Sequence, residues 1–275
     1  MSRFYVATVG DGFERQLKEH NIGVEFDYFC QAENLEGAGF MRSAAEITRL
    51  KKAYGYSEKN MVLHAPFNEL HPAAIDREAL ELAKKRMKQA YGMCESFAVK
   101  KMVAHSGYLP FVYFKSWHRD RSVEFWTEFM ADKPEDFILC IENVLEDEPY
   151  MMAELMEAIE EASGKTLKRA LAKTLPVPNI GICLDIGHAN CMSEVALEEW
   201  IRTLAPYIRH FHLHNNDGKG DRHLAFHEGQ VDIAELLDLA KELCREDTTY
   251  TVESIDCEAS VKWLSERGHI SRKGI

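Results

Sequence analysis

The seven cysteines form no CxxC pair, no Pro-, Gly- or Ser-rich stretch is long enough to be a linker, and no apolar run approaches the roughly 18 residues a membrane helix requires. Each absence removes a class of protein. The cysteines (Cys30, Cys94, Cys140, Cys183, Cys191, Cys244 and Cys257) are odd in number and scattered, so neither a disulfide framework nor a zinc ribbon is indicated. Cys140 and Cys183 fall inside apolar runs, where cysteine acts as a small hydrophobe. The segment MSRFYVATVGDG lacks the basic start and long apolar stretch of a secretion signal. FYVATV therefore reads as a first strand, a reducing cytoplasm is the expected compartment, and no membrane partner is expected. Without a linker or a halfway shift in composition, residues 1–275 are expected to form one domain. No GxGxxG follows the first strand, which counts against a dinucleotide-binding open sheet. Net positive charge is lacking too: the formal charge is −12, which argues against a broad polyanion-binding surface.

What is present is a strict alternation of strand and helix patterns. Apolar runs near residues 3–8, 22–28, 60–65, 99–105, 136–142, 179–185, 208–214 and 248–254 alternate with helix-period segments. Two of these are AAIDREALELAKKRMKQAYGMCESF, with apolar Ala79, Leu82, Ala83, Met87 and Ala90, and QVDIAELLDLAKELCRE, with Ile233, Leu236, Leu237 and Leu243. Eight βα units in a row predict an α/β protein with a parallel sheet, closed as a single (β/α)8 barrel.

Six of the strand runs end on a residue that binds metals: His64, His105, Glu142, Asp185, His212 with His214, and Glu253. A buried ionisable group without a partner costs several kcal/mol, roughly, so six such endings read as one site. Steps from one ending to the next run from 27 to 43 residues, about one βα unit each, and active sites of (β/α)8 barrels lie at these strand ends. Period-two alternation puts Ile138, Cys140 and Glu142 on one face, and likewise Gly181, Cys183 and Asp185, and His210, His212 and His214. Glu25, in GVEFDYF, has no such anchor; it points into the barrel mouth to touch substrate, or is a surface charge. Asp185-Ile-Gly-His188 delivers two ligands from one turn, and Asp221-Arg-His223 delivers two from an extended Gly-rich loop. Imidazole and carboxylate without thiolate suit Zn, Mn or Fe, and nine candidates exceed the needs of one ion. One to three divalent ions, Zn or Mn, are therefore expected per chain.

The segments LHAPF, AHSG, IENV, CLDIGHA, HLHNNDG, DRHLAFHEGQVD and VES, in this order, resemble the motifs of the xylose-isomerase-like barrel superfamily. That superfamily holds endonuclease IV-type AP endonucleases and many sugar and sugar-phosphate isomerases and epimerases. The resemblance runs from the first strand to Glu253. The endonuclease pattern implies one ion on His64, His105 and Glu142. A second would rest on Glu142, Asp185, His212 and Glu253, and a third on His188, Asp221 and His223. His212 matches the family's position better than His214, which would stand behind it or touch substrate. The epimerase members imply a single ion on Glu142, Asp185, His212 and Glu253, with Glu142 and Glu253 acting as base and acid on a substrate carbon.

The loops lean towards the second pattern. GDGFERQ and CQAENLEGAGFMRS are not basic, and FNELHPAAID holds no wedge-like cluster beyond Phe67, as an enzyme that bends duplex DNA would need. GYLPFVYFKSWHRDRSVEFW offers Tyr108, Phe111, Tyr113, Phe114 and Trp117 as caps for a small ligand. Its Lys115, His118, Arg119 and Arg121 are available to a phosphate or carboxylate. The same aromatics would equally stack a base. Phe125, Trp126 and Phe129 read as helix core. Glu228-Gly229 fits the family's Gly-Glu-Gly turn and makes Glu228 a candidate substrate contact, whereas His20, His71, His118 and His269 read as solvent-facing. The expected partner is a sugar or sugar phosphate; nucleic acid belongs to the endonuclease alternative only, and a homo-oligomer is left open. A barrel that binds without catalysing is the third reading, disfavoured because binding alone needs no such set of buried ionisable groups.

Overall fold

Alternation along each strand sorts the side chains into two populations, and this sorting builds the architecture. A computed structural model describes residues 3–163 and 179–274. Its strands are β1 (Phe4–Ala7), β2 (Gly23–Phe26), β3 (Met61–His64), β4 (Lys101–His105), β5 (Ile138–Glu142), β6 (Ile180–Asp185), β7 (Ile208–Leu213) and β8 (Thr249–Val252). They pair in sequence order, all parallel, and β8 pairs back to β1, so the sheet closes as the expected barrel. Outward residues such as Val6, Phe26, Leu139, Ile141, Leu184 and Phe211 join the large core between strands and helices. Inside the barrel, Tyr5, Val62, Val103, Cys140 and Cys183 form a small apolar cluster of their own.

The surrounding helices are α1 (Phe13–Glu19), α2 (Gly37–Tyr54), α3 (Arg77–Phe97), α4 (Lys115–Met130) and α5 (Pro149–Ala162), then α6 (Ile186–Met192), α7 (Leu197–Leu204), α8 (Ile233–Leu243) and α9 (Cys257–Glu266). Aspartates start four of them. Asp76, Asp185, Asp232 and Asp256 each accept hydrogen bonds from backbone N–H groups of the first turn, satisfying donors that the helix cannot. Along α3 the inward stripe is Ala83, Met87, Ala90 and Cys94. Leu82, read as part of that stripe, is exposed, one position off the core-facing row. Among the described residues no helix is long and apolar enough to cross a membrane.

One irregularity aims the site. Between β6 and β7 the pairing slips, Ile182 opposing Ile208 while Cys183 opposes His210. Arg209 is the extra residue, a β-bulge. Ile208 and Phe211 both face outward, and His210 and His212 both enter the barrel. Gly181 makes room for the bulge, since a Cβ there would lie 2.2 Å from Arg209 Cγ.

Two histidines read as solvent-facing are buried. His20 is covered by the C-terminal segment: Asn21 N–H donates to Ser271 O and Lys273 N–H to Glu19 O. His118 sits on α4 among Tyr108 and Tyr113, its ring 5.2 Å and 6.4 Å from theirs, and its Nδ1 has no partner among the described residues. His71 is half-buried with Nδ1 on Gly107 O, 3.0 Å away, while His269 is exposed as expected. Burial, then the charge of His71, pushes His118 down to about 4. An unfolded chain takes up that proton near 6.5, so between these values the unfolded state binds more protons and stability falls as pH falls. The loss attributable to His118 is about 2 kcal/mol at pH 5. His118→Phe is therefore expected to lose less stability than wild type between pH 7 and pH 5 in urea unfolding; parallel losses would refute this assignment.

Candidate functional site

The C-terminal ends of β3 to β8 converge on one mouth, and the side chains they carry are buried there. His64 Nε2 lies 3.0 Å from Glu142 Oε2, and His105 Nε2 lies 3.5 Å from the same oxygen. His212 Nδ1 faces Glu253 Oε1 at 3.1 Å, Glu142 Oε1 at 3.3 Å and Asp185 Oδ2 at 3.8 Å. His188 Nε2 and His223 Nε2 approach Asp221 Oδ2 at 3.3 Å and 3.2 Å. All nine ligand candidates thus come together, in overlapping clusters whose ligand atoms lie within 4.8 Å of one another.

Tautomers give these contacts their meaning. The Nδ1 atoms of His64, His188 and His223 each lie 2.9 Å from a backbone carbonyl, those of Ala65, Asn143 and Glu253. A carbonyl only accepts, so each Nδ1 carries the hydrogen and each Nε2 presents a lone pair. Those lone pairs point at carboxylate oxygens, which also only accept. A positive charge must stand between them, either a second proton on the ring or a cation. Histidines that bind metal characteristically donate their other N–H in this way. His212 Nδ1 is buried and has no hydrogen-bond partner among the described residues, yet three carboxylates surround it. Ligand atoms about 2.1 Å from a tetrahedral ion stand about 3.4 Å apart, so the residues present fit a divalent cation.

Electrostatics agree. Burial opposes ionising Glu142, but His212 above all, with His188 beside it, outweighs this and holds the carboxyl well below its usual range. Burial, with Glu142 and Asp185 beside it, pushes Glu253 up to about 8. Burial opposes charging His64 and His188 too, yet Cys30 and then Glu142 beside the first, and Asp185, Asp221 and Glu142 beside the second, raise them well above the ordinary imidazole value. His223 rises to about 9, mainly through Asp221 against the cost of burial. His105, lying flat on Phe67 with ring centroids 4.1 Å apart, is driven by burial down to about 3.

Several positions were not legible as site residues. Asn143 holds Asp185 by its backbone, Nδ2 donating to Asp185 O at 3.0 Å and Oδ1 accepting from Asp185 N at 2.9 Å. Asp185 both caps α6, through His188 N at 2.7 Å, and faces the site. Asn215 ties the Asp221–His223 loop to β7 with bonds to Phe226 O, Val231 O and Val231 N. Glu25 is wholly buried and bridges His210 and His212, so it faces inward and not to solvent, but its oxygens are engaged by histidines and not presented to a substrate. The motifs themselves, IENV and HLHNND, were the only available signal for the asparagines.

The remaining candidates are placed as follows. His214 Nε2 contacts both oxygens of Asp185, at 3.1 Å and 3.2 Å, and its ring stacks on His223 at 3.8 Å. Phe67 lines the mouth beside His105 and His64. Trp117 lies in the first turn of α4, where Nε1 donates to Ala73 O at 3.0 Å and Arg121 covers the ring. Glu228 is exposed and accepts from Ala225 N, closing its own turn. The loop cations are engaged on the surface: Lys115 with Asp147 and Glu148, Arg119 with Asp120 and Glu154, Arg121 with Glu124.

A family model for xylose isomerase-like TIM barrels matches residues 16–267. The chain belongs to this family. An uncharacterised protein of Methanocaldococcus jannaschii is 26% identical over 254 residues, covering 90% of this chain and 80% of that one. A D-tagatose 3-epimerase-like protein superposes with a TM-score of 0.71 at 22% identity, covering 94% of this chain and 93% of that one. The zinc-soaked TTHB071 protein of Thermus thermophilus gives 0.71 at 22%, covering 97% and 99%. Epimerases and an endonuclease IV share the fold at lower similarity. Members of this family are typically enzymes, and the family generally binds divalent metals.

The crowding at Asp185 is testable without any ligand. A Cβ on Gly187 would lie 1.9 Å from His214 Cε1. Gly187→Ala is expected to destabilise by about 1–3 kcal/mol through overpacking. His214→Ala in the same chain should recover part of that loss, a non-additivity that urea unfolding of the double-mutant cycle measures. Additive losses would refute the contact.

Proposed function

We propose that this protein is a divalent-metal-dependent isomerase or epimerase of a sugar or sugar phosphate. The observation that carries the reading is the buried Nδ1 of His212 facing Glu142, Asp185 and Glu253, carboxylates from three different strand ends. These four residues would hold one ion, which when bound polarises a substrate carbonyl and stabilises the charge left as a neighbouring proton departs. Glu142 and Glu253 leave the barrel three strands apart, so they would reach a small substrate from different sides, one removing the proton and the other returning it. Phe67 would supply an apolar wall. Proteins named as L-ribulose 3-epimerase and D-psicose 3-epimerase share the fold and support the substrate class. A reducing cytoplasm suits the seven free cysteines.

A second reading, an endonuclease IV-like phosphodiesterase, is favoured by one specific observation. The clusters of His64, His105 and Glu142 and of His188, His214, Asp221 and His223 supply more ligands than one ion uses. Metal analysis separates the two: one Zn or Mn per chain supports the isomerase, three the phosphodiesterase.

Solvent deuterium incorporated into at least one ketose of a panel, by Mn- or Zn-loaded protein, is the expected result. Glu142→Gln should lower that exchange by roughly 10²–10⁴-fold with the fold intact. No exchange with any ketose, together with cleavage of an abasic-site duplex, would overturn the isomerase reading.

A further inference from the structure

Beneath the rim the barrel interior is polar where such barrels are ordinarily filled with branched apolar side chains. A continuous column of hydrogen bonds runs along it. Lys101 Nζ donates to Thr249 Oγ1 at 2.6 Å and to Arg209 O at 3.2 Å. Thr249 Oγ1 lies 2.6 Å from His210 Nδ1. His210 Nε2 lies 3.1 Å from Glu25 Oε2, and Thr251 Oγ1 donates to that same oxygen at 2.5 Å. Glu25 Oε1 lies 3.2 Å from His212 Nε2, and the far nitrogen of His212 faces the three rim carboxylates. Glu25, His210, His212 and Thr251 have no exposure to solvent.

Donor and acceptor chemistry gives the column a direction. A carboxylate only accepts, so both imidazoles turn an Nε2–H towards Glu25. His210 Nδ1 is then a lone pair, satisfied by the Thr249 hydroxyl, whose oxygen is held by the Lys101 ammonium, a group that only donates. From Lys101 up to His212 Nε2 each of these contacts pairs a donor with an acceptor in this arrangement, and an unsatisfied one here would cost dearly. At the upper end it leaves His212 with its hydrogen on Nε2 and its lone pair on Nδ1. His64, His188 and His223 have the opposite tautomer, set by backbone carbonyls. Among the described residues no backbone carbonyl is bonded to the His212 ring; the side chain of Glu25 takes that part.

We infer that Glu25 is a positioning residue for the metal centre: it fixes His212 as the Nε2–H tautomer and aims Nδ1 between Glu142, Asp185 and Glu253, with Lys101, Thr249 and His210 holding Glu25 in place from below. The inference rests on the reading of the rim as a divalent-metal site. It assigns β2 a part that none of the six ligand-bearing strand ends supplies.

The test uses the full-length protein and Zn²⁺ or Mn²⁺ in competition with a chelating dye. Glu25→Gln keeps the volume but replaces an oxygen acceptor with an amide donor, which opposes one of the two Nε2–H groups. It is expected to weaken metal binding about 10–100-fold while thermal unfolding shows the fold retained. Wild-type affinity in a folded Glu25→Gln would overturn the inference. Should that variant fail to fold, long-range ¹⁵N–¹H spectra of zinc-loaded wild type decide it, Nε2–H at His212 supporting the inference and Nδ1–H overturning it. Failure of wild type to bind either ion would instead overturn the metal reading on which the inference rests, and the two failures are distinguished in the wild-type arm.

Discussion

Three carboxylates meet at one buried imidazole nitrogen, and mutual repulsion forbids them all to be ionised there unless positive charge stands among them. Much of the rim answers to this constraint. Histidines from β3, β4 and β7, from α6 and from the loop after β7 surround the acids. Three of them spend their second nitrogen on a backbone carbonyl, so the rings cannot rotate away. Asn143 clamps the backbone of Asp185 in two directions, and the N–H of His188 takes one of its oxygens. Acids that would separate in water are thereby held close together.

That arrangement moves the burden of stability outward. The interior gives up apolar packing to the column from Lys101 to Glu25, keeping only a small cluster about Tyr5, Val62, Val103, Cys140 and Cys183. The large core lies between strands and helices, where Trp126, Trp200, Phe26, Phe29 and Phe211 are fully buried. Inner and outer layers can therefore serve different ends, chemistry inside and cohesion outside. The bulge at Arg209 is where they are reconciled, because it lets β7 keep Ile208 and Phe211 in the outer layer while sending His210 and His212 inward.

The strands and the ring of ligands were legible because both are local patterns. A short apolar run shows its boundaries, and a charged residue at its end shows where the strand meets solvent or a site; all eight strands lie within two residues of their expected limits. What escaped depends on contacts far apart in sequence. His118 stands among charges in KSWHRDR, which read as a surface, and only the tertiary placement of Tyr108 and Tyr113 buries it. His20 is covered by residues some 250 positions away. The side that Glu25 faces depends on a register that a four-residue strand does not display on its own. Tautomers lie further still from the sequence, because they follow from which oxygen stands opposite each ring.

Ligand count and loop chemistry pull in opposite directions, and charge favours the proposed sugar reading. The clusters hold enough donors for several ions, as a phosphodiesterase would use. Yet a duplex presents a negative charge about every 1.7 Å of its axis, and binding it requires many cations free to replace counterions. At the start of α4, Lys115, Arg119 and Arg121 each lie beside one or two carboxylates. Exposed pairs of this kind are weak, about 0–1 kcal/mol, so they do not lock the cations away; what they do is cancel the local field that would draw a polyanion in. Phe111 and Phe114 stand exposed just before α4, offering contact area without charge. A small polyol, needing one metal, two glutamates and an apolar wall, meets no such electrostatic obstacle, and this asymmetry is the physical ground for placing the sugar before the nucleic acid.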